Sequence, residues 1–189
     1  MQIKNIILAS QSPRRKELLN LLDHNFKVEI PEVNEVYPED LEVIKVAEYL
    51  ANLKANAFTN IPNDTVVIAA DTVVIIDEQI LGKPNNKTEA AKMLQSLSNL
   101  SHKVMTGVCI KSKHKTVSFS NTTKVFFKEL TSSEINYYIE NYKPFDKAGS
   151  YGIQEWIGAI GITKIEGSYF NVVGLPLYQL QNKLHKNFF

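Results

Sequence analysis

A chain of 189 residues suits one domain or a pair of small lobes, at roughly 150 residues per domain. With 44% hydrophobic, 10% aromatic and 22% charged residues it has a globular composition, which excludes a disordered, collagen-like or coiled-coil chain. Twenty-one Lys and Arg against 20 Asp and Glu leave a formal charge of +1, so no global field draws the chain to nucleic acid or an anionic membrane, and an anion would need a local cluster.

Residues 3–9 form a short apolar segment ended by Ser10-Gln11-Ser12-Pro13, after which Leu18, Leu19 and Leu22 recur at helical spacing. This predicts strand, turn and helix, with Ser12 as N-cap and Pro13 at the first helical position, where a missing N–H costs nothing. A strand is expected over 26–30. A second helix follows over about 41–58, its stripe made of Val43, Val46, Ala47, Leu50 and Leu53. Thr65–Ile76, TVVIAADTVVII, is β-branched and apolar on both faces, the pattern of a centrally buried strand. Asp77-Glu78 turns it toward Gln79–Leu81.

Asn86 with Glu89 caps a helix ending near Leu97, and Thr131 with Glu134 caps another reaching about Asn141. Between them, residues 101–113 and Thr116–Phe127 are strand candidates joined as a hairpin at Lys113-His114-Lys115. Beyond Ala148-Gly149-Ser150-Tyr151-Gly152, strands are expected over 157–165 and Tyr169–Val173 around the turn Glu166-Gly167-Ser168, then a last helix from Pro176. Alternating strands and helices place the chain in the α/β or mixed α+β class around one twisted mixed sheet. Residues 127–131 are the weakest point for a boundary, and no separable linker divides the single unit 1–189.

Asp71 is the only charged residue in Thr65–Ile76. A buried carboxylate without partners costs several kcal/mol, so Asp71 either pairs within the core or faces a cleft, a metal or a cation. Thr72 beside it lines the same place or packs as an ordinary strand residue. The turn from Ser10 to Arg15 brings hydroxyls, free N–H groups at a helix start and two arginines, which together make either a phosphate cradle or an ordinary capped helix. Lys83, in Leu81-Gly82-Lys83-Pro84, stands at a strand exit; Lys147 precedes Ala148, and Lys54 is on the second helix. Each lysine alone reads as a solvated surface group, and Glu35 as either an exposed acid or a ligand for a hard cation. No G-x-x-x-x-G-K-[ST], G-x-G-x-x-G, G-x-S-x-G or zinc-ligand spacing occurs. Cys109, the single cysteine, reads as a small buried hydrophobe. No apolar run approaches the ~20 residues of a spanning helix, and the Met1-Gln2-Ile3-Lys4 start lacks a signal-peptide pattern, so a cytoplasmic location is expected.

Taken together, five blocks resemble the Maf family of nucleoside triphosphate pyrophosphatases. They are Ser10-Gln11-Ser12-Pro13-Arg14-Arg15-Lys16-Glu17-Leu18-Leu19, Ala70-Asp71-Thr72-Val73-Val74, Leu81-Gly82-Lys83-Pro84, Asp146-Lys147-Ala148-Gly149-Ser150-Tyr151-Gly152-Ile153-Gln154, and Gly167-Ser168-Tyr169 through Val173-Gly174-Leu175-Pro176. The resemblance implies an elongated, two-lobed α/β unit with a central cleft, related to the inosine triphosphatase architecture. It also implies hydrolysis of a nucleoside triphosphate between its α and β phosphates, with Mg²⁺ or Mn²⁺, limiting incorporation of non-standard nucleotides.

Residue by residue, Asp71 matches the family's proton acceptor, and Glu35, Lys54 and Lys83 match residues lining its phosphate and metal site, with Asp71 and Glu35 toward the metal. Arg14, Thr72 and Gln154 match base-discriminating positions of the subgroup acting on dTTP, UTP and modified pyrimidine nucleotides. Ser10, Arg15 and Lys147 join the substrate-binding set. Alternatives are a 7-methyl-GTP pyrophosphatase and a nucleotide-binding cell-division regulator with little turnover. A homodimer is compatible with the family. Two departures stand out: Asn34 occupies a position often acidic, and Glu155-Trp156 replaces small residues after Gly-Ile-Gln.

Overall fold

The computed structural model describes residues 3–189. Its elements in chain order are β1 (Asn5–Ala9), α1 (Pro13–Asn20), β2 (Phe26–Val28), α2 (Val43–Asn56), β3 (Thr65–Ile76), β4 (Gln79–Leu81), α3 (Lys87–Leu97), β5 (Ser101–Lys111), β6 (Thr116–Phe127), α4 (Ser132–Tyr142), a 3₁₀ turn (Ala148–Ser150), α5 (Trp156–Gly161), β7 (Ile162–Glu166), α6 (Tyr169–Val173) and α7 (Leu177–Asn187). The strands form a mixed sheet in the hydrogen-bonded order β2-β1-β3-β5-β6-β7, with β4 paired to β3. No helix among the described residues is long and apolar enough to cross a membrane.

The chain divides into two compact units. The first comprises the residues up to Thr72, Thr106–Asn121 and Gly174–Phe189; the second comprises Val73–Met105 and Thr122–Val173. The divisions fall within β3, β5 and β6 and just after α6, not at residues 127–131, which lie inside the second unit.

In the first unit β1 runs parallel to both β2 and β3, with Ile6 opposite Phe26 and Val66, and Ala9 opposite Ala69. Helices α1 and α2 are the crossovers that parallel neighbours require. Its core packs Ala51 and Ala55 of α2 against Ala9, Val67, Ala69 and Cys109. Burial pushes the Cys109 thiol pKa up, as befits a packed hydrophobe. In β3 only Asp71, Thr72 and the last residue, Ile76, are not fully buried, so the chain opens to solvent where its one charge stands.

In the second unit Val74, Leu94, Val104, Phe127, Ile135, Tyr138 and Ile157 share a core. The expected caps form: Asn86 Oδ1 accepts from Glu89 N at 2.9 Å, and Thr131 with Glu134 closes a reciprocal capping box. Of two further expected strands, 157–165 forms only in its second half and Tyr169–Val173 not at all. Residues 156–161 are helical, with strand beginning only at Ile162, because six consecutive apolar and glycine residues carry no period that separates helix from strand. Gly158 is what permits that helix, since a Cβ there would lie 1.9 Å from the Ile153 carbonyl oxygen. Tyr169–Val173, β-prone by composition, is also a helical turn. It is started by Ser168 Oγ, which accepts from Asn171 N at 3.3 Å, and buried Asn171 anchors it by donating to Val104 O and Thr123 Oγ1, each at 3.0 Å. Tertiary hydrogen bonds override a weak strand propensity here.

His102 sits in this second core, its Nε2 2.7 Å from the Tyr151 hydroxyl and its ring stacked on Phe127. Burial pushes its pKa down from 6.5 to about 4. The unfolded imidazole takes its proton near pH 6.5 and the folded one only near 4. The unfolded state therefore binds more protons across that window, and stability falls as pH drops through it. The loss is expected to reach about 3 kcal/mol at pH 4. Urea unfolding of the wild type and His102→Gln at pH 7 and pH 4.5 checks this: the variant must show a shallower pH dependence, and parallel curves would remove the assignment.

Candidate active site

The order β2-β1-β3 reverses direction at β1, and in open α/β sheets ligands sit beyond the carboxyl ends of the strands at such a switch point. Ala9 is level with Ala69, so the turn starting at Ser10 and the pair Asp71-Thr72 emerge side by side. The turn is built as expected: Ser12 Oγ accepts from Arg15 N at 3.4 Å, and Pro13 opens α1. Ser10 is buried, and its Oγ accepts from Ser12 N at 3.2 Å.

Arg15 ties this turn to the strand. Its Nη2 donates to Thr72 Oγ1 at 3.0 Å and its Nε to the Gly174 carbonyl at 2.9 Å, while Nη1 reaches Ser10 Oγ at 3.5 Å. The Thr72 hydroxyl is shared in turn with Thr106 Oγ1 at 2.9 Å. Burial pushes the Arg15 pKa below its usual value, with the Asp71 carboxylate acting in the opposite sense and Arg14 adding to the decrease. Arg14, Asp71 and Glu35 thus each lie within electrostatic reach of Arg15.

Lys54 is the centre of the charged cluster. It stands in the last turn of α2, four residues after Leu50, and so falls on the helix face that carries Val46, Ala47, Leu50 and Ala51 inward. The lone-lysine reading of a solvated surface group is corrected: Lys54 is 8% exposed. Its Nζ donates to Asp71 Oδ1 at 2.6 Å and pairs with Glu35 Oε2 at 2.8 Å. One ammonium therefore holds a largely buried carboxylate and a half-exposed one.

The donor chemistry suits a hard divalent ion. Among the described residues no group of three or more His, Cys, Asp and Glu is placed to hold a metal, so a full protein cage is absent. Mg²⁺ is typically held by one or two carboxylates, with substrate phosphates and water supplying the rest, and Glu35 with Asp71 provides that minimum.

In the second unit, Lys83 is exposed just after β4. Its loop is tied to the Ala148–Ser150 turn by Gly149 N donating to Gly82 O at 3.0 Å. Gly149 has φ 67°, and a side chain there would press on Val74 at 3.0 Å, so glycine is needed on both counts. Lys147, also expected as a solvated group when taken alone, is 8% exposed and pairs with Asp146 at 2.7 Å and Glu155 at 3.1 Å. Gln154 is exposed.

Two parts of this arrangement escape the sequence reading. Thr106, fully buried, completes the Arg15–Thr72 chain, and nothing in SHKVMTGVCIK marks it among other strand residues. The inward place of Lys54 could have been found, because its spacing from Leu50 puts it on the apolar stripe.

A family model described as Maf-like protein matches residues 5–187. The chain is 52% identical over 183 residues to the dTTP/UTP pyrophosphatase of Porphyromonas gingivalis, covering 95% of this chain and 92% of that protein. It is 51% identical over 172 residues to the dTTP/UTP pyrophosphatase of Flavobacterium psychrophilum, covering 90% and 88%. The solved structure of the Ham1 protein of Staphylococcus aureus superimposes with a TM-score of 0.55 at 18% identity, over 97% of this chain and 99% of that one, a likeness of fold alone. With the match running from β1 into α7 and relatives at this identity, the chain belongs to the Maf family.

Proposed function

We propose that this protein hydrolyses dTTP and UTP between the α and β phosphates, releasing the nucleoside monophosphate and pyrophosphate. The observation that carries the reading is the Lys54-bridged pair Glu35 and Asp71, with Arg14 and Arg15 in the turn beyond the carboxyl end of β1 and Asp71 in the middle of β3 beside it. Relatives of about 50% identity that bear this activity in their names support the substrate.

A triphosphate brings close to four negative charges, and its cleavage is catalysed mainly by placing and neutralising them. Arg14 and Lys54 supply positive charge to the phosphates. Arg15, occupied by Ser10, Thr72 and Gly174, holds the turn in shape and adds its field. Glu35 and Asp71 would hold Mg²⁺ or Mn²⁺, which when bound screens phosphate charge and makes water a better nucleophile at neutral pH. Asp71 accepts the proton of the attacking water while Lys54 keeps its carboxylate oriented. Gln154 both donates and accepts, matching the edge of thymine or uracil, and a site built on such bonds penalises a base that leaves them unmade.

Pyrophosphate release from dTTP, UTP, dCTP, dATP and 7-methyl-GTP, with Mg²⁺ and with chelator, tests this. The expected order puts dTTP and UTP at least tenfold ahead in kcat/KM, with activity lost in chelator. A preference for the methylated purine, or no turnover of any nucleotide, would overturn the proposal.

A further inference from the structure

Glu155 departs from the small residues of the family pattern, and the second unit gives it a task. One carboxylate oxygen pairs with Lys147 Nζ at 3.1 Å; the other accepts a hydrogen bond from the Tyr138 hydroxyl. That hydroxyl in turn accepts from Gly152 N at 3.0 Å. Tyr138 is fully buried in α4, and the Lys147 and Glu155 side chains are 9% and 20% exposed, so the network is shielded from solvent.

A side chain on Gly152 would come within 2.9 Å of the Glu155 carboxyl carbon, so the carboxylate lies directly against the backbone it serves. These contacts close the segment 147–155 on itself at its two ends and at Gly152, with Gln154 between the last two anchors. The loop contains two glycines and would sample many conformations if unanchored.

We propose that Glu155 is a positioning residue for base selection: by clamping Lys147 and, through Tyr138, the Gly152 amide, it fixes the backbone from which Gln154 presents its amide to the pyrimidine. This rests on the reading of Gln154 as the base-contacting residue. Lys147 then serves the loop rather than the phosphates, since Asp146 and Glu155 already offset its charge. Buried polar networks of this kind cost desolvation, and in some proteins they hold one conformation over others.

The test compares kcat and KM for dTTP and dCTP in the wild type, Glu155→Ala, Glu155→Gln, Tyr138→Phe and Gln154→Ala, with circular dichroism and melting of each. Cytosine reverses the donor and acceptor that thymine presents, so the ratio of kcat/KM for dTTP over dCTP reads the placement of Gln154. Glu155→Ala is expected to lower that ratio roughly tenfold, mainly through a higher KM for dTTP with kcat within about threefold. Glu155→Gln, which keeps an acceptor for Tyr138, restores the ratio to within about threefold of the wild type.

A folded Glu155→Ala with an unchanged ratio and KM overturns the proposal. If that variant does not fold, Tyr138→Phe decides: it lacks one hydroxyl, and an unchanged ratio there has the same force. Gln154→Ala separates the two levels. An unchanged ratio in that variant overturns the base-reading assignment itself, whereas a collapsed ratio beside an unaltered Glu155→Ala overturns the clamp alone.

Discussion

Replacing Asp71 with Asn is expected to lower kcat for dTTP about a thousandfold, within the range that removal of a general base produces. The substitution is close to isosteric, and an amide oxygen can still accept from Lys54, which also retains Glu35 at 2.8 Å. The fold should therefore change by less than about 1 kcal/mol, and the loss belongs to chemistry. Measuring kcat alongside a thermal melt makes the distinction. Turnover within about threefold of the wild type in a folded Asp71→Asn would remove Asp71 as proton acceptor.

The second large effect concerns Lys54. Lys54→Met keeps the apolar stem that packs with α2 but deletes the ammonium between Asp71 and Glu35. Two carboxylates then face each other, one of them with only 14% of its side chain exposed. Breaking a buried pair in this way costs about 3–5 kcal/mol, and the half-exposed Glu35 places this case near the lower end. Urea unfolding at pH 7 should show a loss of about 3 kcal/mol, and kcat/KM should fall at least about a hundredfold.

The double variant Lys54→Met with Asp71→Asn separates the stranded charge from lost packing. If the single variant is destabilised by a stranded charge, neutralising that charge should return more than half of the lost stability. Purely additive destabilisation would mean that Lys54 acts through packing instead.

Much of this architecture was legible in local patterns. Ser12 and Pro13 start α1, Asn86 and Glu89 start α3, and Thr131 with Glu134 starts α4, because capping is a matter of a few consecutive residues. The β-branched, apolar composition of β3 announced a buried strand, and its single acid announced a charge in need of a partner. The segments 156–161 and Tyr169–Val173 were not legible. The first lacks a period, and the second is turned helical by Ser168 and Asn171, whose partners lie on distant parts of the chain.

The same division holds in the site. That Asp71 required a partner followed from electrostatics on the bare sequence, since a charge among β-branched residues cannot remain unpaired in a packed interior. Which partner it took was decided by the fold: α2 turns Lys54 inward to a carboxylate seventeen residues away, and Glu35 arrives from a loop. Likewise Arg15 was visible as a cation, but its bonds to Thr72 and Gly174 depend on chain crossings that no local window contains. Chemical type and capping are short-range properties carried by neighbouring residues. Pairing of charges is long-range, because it depends on which backbone segments the core brings within about 3 Å of each other.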